Sequence, residues 1–84
     1  MTTVQVRYFA SIREALGQGG ESVQTQALTV GALRDELIAR GGSHAENLAR
    51  GRAVRAALNQ TLCDDTAVLV DGCEVAFFPP VTGG

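Results

Sequence analysis

Lysine is absent from this 84-residue chain; all seven basic side chains are arginine. With no side-chain amine, the chain cannot be joined to a copy of itself through a lysine isopeptide. There is no run of basic residues and the formal net charge is −2, which argues against a nucleic-acid partner. Long apolar runs are also missing, and nothing approaches the roughly 20 residues of a transmembrane helix. The opening Met1-Thr2-Thr3-Val4-Gln5-Val6-Arg7 lacks the basic start and long apolar stretch of a signal peptide, so a cytoplasmic protein with no membrane attachment is expected. Two cysteines, Cys63 and Cys73, and the lone His44 fall short of the four ligands of a structural zinc site, so no metal is expected. In that compartment the thiols read as reduced and structural, with a sulfur-relay role as the alternative. His44 has no evident partner for catalysis and is expected to be solvated. Repeats, linkers and low-complexity segments are absent.

What is present reads as one small domain. Val4, Val6 and Tyr8 alternate with Gln5, Arg7 and Phe9, a strand pattern. Ser11-Ile12-Arg13-Glu14 has the form of a capping box, and Gly17 would stop the short helix that follows. Glu21 to Leu28 predicts an edge strand pairing back on the first. Thr29 is a good N-cap, and Val30, Leu33 and Leu37 follow at helical spacing up to Arg40-Gly41-Gly42. Ser43-His44-Ala45-Glu46 predicts a second capped helix, closed by Gly51. Val54, Ala56 and Leu58 predict a strand, Asn59-Gln60 a turn, Val68-Leu69-Val70 a short strand and Asp71-Gly72 a turn. Glu74 to Phe78 is the last strand, ended by Pro79-Pro80. Strands around one main helix predict an α+β domain, a mixed sheet packed on one face of that helix.

Alternation also shows which residues leave the core. Phe9 falls on the face opposite Val4, Val6 and Tyr8. Phe78 falls on the face opposite Val75 and Phe77. Leu62 follows a polar turn and is a third candidate for exposure. Short helices or loops could cover all three, but a patch of two aromatics and a leucine beside the tail points to a partner surface.

The chain closes Pro79-Pro80-Val81-Thr82-Gly83-Gly84. Prolines fix φ and remove N–H donors, while glycines keep a backbone thin and adaptable. The division expected is a body over 1–80 and a flexible Gly-Gly tail over 81–84. That tail would extend by at most about 13 Å and present its carboxylate as the working group. A frayed end is the ordinary alternative; the Pro-Pro stalk and the strand before it favour the functional one.

The stretch Ala56-Ala57-Leu58-Asn59-Gln60-Thr61-Leu62, the Asp71-Gly72 turn and the block Glu74 to Gly84 closely resemble the small, sulfur-carrier subunit of molybdopterin synthase, the MoaD family. Tyr8 to Glu14 and Thr29 to Arg34 fit as well, so the resemblance spans the chain. It implies a β-grasp, ubiquitin-like fold and a sulfur-carrying cycle. An E1-like, ATP-using enzyme adenylates the Gly84 carboxylate, and a sulfur donor turns the acyl-adenylate into a thiocarboxylate. The tail, with Val81, Thr82 and Gly83 as its contacts, then inserts into the large subunit of a heterotetramer, and two sulfur transfers convert cyclic pyranopterin monophosphate to molybdopterin. The resemblance implies no bound cofactor, makes Gly84 the reacting residue of this chain with the large subunit supplying the basic and catalytic residues around it, and matches Phe9, Leu62 and Phe78 to positions that pack against both partners. Cys73 stands where the family often carries Asp, which should alter turn hydrogen bonding rather than function, and residues 41 to 53 are individual to this chain. Alternative readings are a carrier for thiamin thiazole synthesis, a ubiquitin-like modifier of other proteins' lysines, and a β-grasp binding module with an inert tail.

Overall fold

The computed structural model describes residues 1–80. In chain order the elements are β1 (Thr2–Tyr8), α1 (Ala10–Leu16), β2 (Gly20–Thr25), α2 (Val30–Ile38), α3 (Gly42–Leu48), β3 (Arg55–Leu58), β4 (Thr61–Cys63) and β5 (Glu74–Phe78). The strands form one mixed sheet in the order β2-β1-β5-β3-β4. Only the β1–β5 pair is parallel, with Val6 opposite Val75 and Tyr8 opposite Phe77. The other three pairs are antiparallel.

One face of the sheet is apolar because alternation places Val4, Val6, Tyr8, Val23, Ala56, Val75 and Phe77 on it, all buried. Helix α2 covers that face with Val30, Leu33 and Leu37, and Ile12 and Leu48 close its flanks. Thr29 caps α2 as its residue type predicts, its Oγ1 accepting from the Ala32 amide at 3.2 Å. This is the β-grasp arrangement, so the fold expected from the sequence is the one observed.

Several local expectations give way to tertiary contacts. Ser11 does not cap α1: the helix starts at Ala10, behind an extended Phe9 with no side-chain cap. Ser43 does not cap α3, which starts at Gly42 behind Gly41 and ends at Leu48, before Gly51. Val68 to Val70 is not a strand; it contributes an isolated bridge from Val68 to Thr29. The strand in that half of the chain is instead β4, returned onto β3 by Asn59 and Gln60, whose φ angles of 49° and 70° are both left-handed. Such angles suit a two-residue hairpin turn. Cys73 sends its side chain into the core.

Arginine secures the stretch from 41 to 53. Arg34, on α2, is buried. Its Nε donates to the Leu48 carbonyl at 2.7 Å and its Nη2 to the Ala49 carbonyl at 2.7 Å, satisfying carbonyls at the end of α3. Arg50 donates to Asp35, Asp65 and the Gly31 carbonyl. A Cβ on Gly31 would meet the Asp65 Cβ at 2.8 Å, so glycine there lets the 64–66 loop lie against α2.

His44 is not solvated. Its Nε2 lies 3.2 Å from Glu21 Oε2, and its ring meets Tyr8 edge-on with centroids 6.0 Å apart. Glu21 also accepts from the Tyr8 hydroxyl at 2.8 Å and from Arg40 at 2.6 Å. Burial alone would raise the Glu21 carboxyl, but hydrogen bonds from Arg40, Tyr8 and His44 outweigh it and hold the group below its ordinary value of 4.5. The unfolded chain therefore takes up this proton first as pH falls. The stabilisation is fully present above about pH 4.5 and is lost as pH drops through the folded value. Glu21→Gln should cost about 1–2 kcal/mol near neutrality. Urea melts should show the gap between the two proteins closing below the ordinary carboxylate value; a gap that widens there would contradict the assignment.

Candidate docking site on the open sheet face

The face of the sheet away from α2 is set by the same register. Pairing aligns Gly20, Arg7, Ala76, Ala57 and Leu62 in one row across all five strands. Ala76 and Ala57 are small, so the middle of the row is low. Phe9 rises on one side and Phe78 on another, and Pro79 and Pro80 close the end toward the tail. The result is an open, mainly apolar groove of about 730 Å³, with Arg7, Gln60 and Glu74 as its polar lining.

Phe9 reaches this surface through a backbone device. Ala10 has a φ of 52°, a left-handed conformation that costs a non-glycine residue about 1–2 kcal/mol. It turns the chain abruptly from β1 into α1 and leaves Phe9 42% exposed. Leu62 is 56% exposed and stands next to Ala57 in the row, extending the apolar surface beyond the groove. Phe78 was expected to be exposed but is half-buried. It sits on β5, the middle strand, where Arg55 of β3 pairs opposite it, so its flanks are covered while it still lines the groove. Phe9, Leu62 and Phe78 therefore share one face.

Ala57 and Ala76 were not singled out by the sequence reading, and they make the groove a groove. Their signal was present as small residues at outward positions of β3 and β5. Pro80 is the last described residue, and it lines the groove. The candidate residues Val81, Thr82, Gly83 and Gly84 lie outside the described residues.

No group of three or more His, Cys, Asp or Glu side chains is placed to hold a metal among the described residues. Burial, and then Asp64, pushes the Cys63 thiol up, which keeps it protonated and a poor nucleophile. Cys73 is buried. The described lining of the groove is mainly apolar, which suits recognition by apolar contact. No helix among the described residues is long and apolar enough to cross a membrane.

Fold and groove define a ubiquitin-like β-grasp domain with a mainly apolar groove on the open side of its sheet. The chain belongs to the ThiS family, whose model matches residues 6–84. It is 44% identical over 81 residues to the molybdopterin synthase sulfur carrier subunit of Escherichia coli K12, covering 96% of this chain and 99% of that one. It is 40% identical over 86 residues to the subunit of the same name from Mycobacterium tuberculosis H37Rv, covering 100% of both. Among solved structures it is similar to the protein–protein complex of subunits 1 and 2 of molybdopterin-converting factor from Helicobacter pylori, with a TM-score of 0.70 and 28% identity over 99% of this chain and 100% of the matched one. The resemblance read from the C-terminal block thus holds along the chain.

Proposed function

We propose that this protein is the sulfur-carrier subunit of a molybdopterin synthase, working in the cytoplasm. The observation that carries the reading is the apolar groove lined by Phe9, Phe78, Pro79 and Pro80, which opens where the chain passes into its last four residues. A body with a docking face at the root of a thin carboxylate tail is suited to delivering that tail into a partner. The full-length similarity to sulfur carrier subunits supports the same conclusion.

In this reading the Gly84 carboxylate attacks the α-phosphorus of ATP on an E1-like activating enzyme, and pyrophosphate leaves. The mixed anhydride makes the carbonyl electrophilic, and a sulfur donor displaces AMP to give the thiocarboxylate. The subunit then docks on the large subunit through Phe9, Leu62 and Phe78. Val81, Thr82 and Gly83 thread the tail into the partner's active site, where the polarizable sulfur is held close to cyclic pyranopterin monophosphate. Two such deliveries complete the dithiolene. The chain itself binds no cofactor and supplies no general acid or base; it is a protein cosubstrate, not an enzyme alone. The complex of the two Helicobacter pylori subunits supports a large-subunit partner, and a heterotetramer with two large subunits at its centre is the expected assembly. The stiff Pro79-Pro80 stalk lowers the ordering cost of docking.

Incubating the purified chain with ATP, the host's activating enzyme and a sulfide source should raise its intact mass by one oxygen-to-sulfur exchange that maps to Gly84. An unchanged mass, with the enzyme active on a control carrier, would move the reading to a binding module.

A further inference from the structure

The seven arginines divide by use. Arg34, Arg40, Arg50 and Arg52 donate to carbonyls or carboxylates of the chain. Arg7, Arg13 and Arg55 make no side-chain hydrogen bond or ion pair among the described residues, and of these Arg7 alone lines the groove.

Two features hold Arg7 where it is. Its guanidinium carbon lies 6.0 Å from the centre of the Phe9 ring, within cation–π range. On the other side its stem crosses Gly20, its partner on β2. A Cβ on Gly20 would come within 3.2 Å of the Arg7 Cδ and 2.7 Å of the Val6 carbonyl oxygen. The side chain is therefore placed by its neighbours while its planar donor set is left unused. Glu74 shares the groove but stands one pairing step away, level with Gln5, and makes no ion pair with Arg7.

A surface that closed over the groove with apolar groups alone would strip water from an unpaired guanidinium, which is costly. A carboxylate meets its fork geometry with two charge-assisted hydrogen bonds. We propose that Arg7 is the specificity residue of the docking groove and receives an Asp or Glu carboxylate of the large subunit, set beside the apolar group that fills the space over Ala57 and Ala76. This rests on the docking role argued above and adds the charge that the partner must carry.

Calorimetric titration of the chain into the large subunit of the same organism tests it. The wild-type dissociation constant should weaken about tenfold between low and high salt. Arg7→Glu should weaken binding about 100-fold at low salt. Arg7→Leu should weaken it about tenfold and flatten the salt dependence, with Arg7→Lys recovering part of the loss. Arg7 is exposed, so matching melting curves should verify that each variant folds. Salt-independent binding of the unaltered chain, or wild-type affinity and salt slope in Arg7→Leu, would overturn the assignment and leave the docking role standing. Failure of the unaltered chain to bind the large subunit at all would bring down both.

Discussion

Removing Gly84 alone should end molybdopterin formation and leave the melting curve of the domain unchanged. The described body, residues 1–80, holds strands β1 to β5, the core and the groove, so stability and docking are expected to rest on it rather than on the last residue. The proposed chemistry rests on that residue. Shortening the tail by one residue withdraws its carboxyl group by about 3.5 Å. Reacting atoms must approach to about 3–3.5 Å, and an error of about 1 Å already costs on the order of 100-fold. The measurement is product formed by the reconstituted two-subunit enzyme, beside a binding titration and a thermal melt. Loss of product with binding and melting retained is the expected result. Product formed at the normal rate would make the tail inert and the protein a plain binding module.

Two adjacent phenylalanines should behave as opposites. Phe77 is completely buried, and its register neighbours Tyr8 and Ala56 are core residues as well. Phe77→Ala removes a core ring from the central strand and should cost about 3–5 kcal/mol. Against a total of about 5–15 kcal/mol for a folded domain, that loss leaves little or no folded protein at physiological temperature. Phe78 points to the other face. Phe78→Ser should cost only about 1–2 kcal/mol in stability, because the ring is partly exposed and lies outside the core, yet weaken binding to the large subunit more than tenfold if it is an anchor of the interface. Denaturant melts and a binding titration on the two variants separate the cases. If Phe78→Ser unfolds the domain as Phe77→Ala does, the face assignment is wrong and the groove loses one wall.

Local pattern was enough where one face is buried and the other is not. Alternation in β1 and β5 and the spacing of Val30, Leu33 and Leu37 placed the sheet and main helix, and the same alternation set Phe9 and Phe78 apart from Tyr8 and Phe77. It failed where contacts distant in sequence decide. Val68-Leu69-Val70 looks like a buried strand, but only Leu69 reaches the core while Val68 and Val70 are exposed. The three-residue β4 is too short to show a period. Ser11 and Ser43 sit close to helix starts, yet those starts follow the turn at Ala10 and the left-handed Gly41. His44 read as a solvated residue because its partner, Glu21, is more than ten positions away. At the site, the apolar residues could be read from their positions, helped by the family resemblance. The solitude of Arg7 could not, because nothing in a sequence says which carboxylate an arginine fails to meet.

The position of β5 bears on how the protein is made. It lies between β1 and β3, so until it is synthesised the hairpin of β1 and β2 and the hairpin of β3 and β4 share no hydrogen-bonded neighbour. A nascent chain halted before residue 74 holds Val4, Val6 and Tyr8 on a sheet that cannot close, an apolar surface of the kind that chaperones and proteases recognise. Closure of the sheet therefore waits for residues 74–78. The groove depends on the same strand, because Glu74, Ala76 and Phe78 line it, so a chain interrupted before residue 74 cannot build that surface.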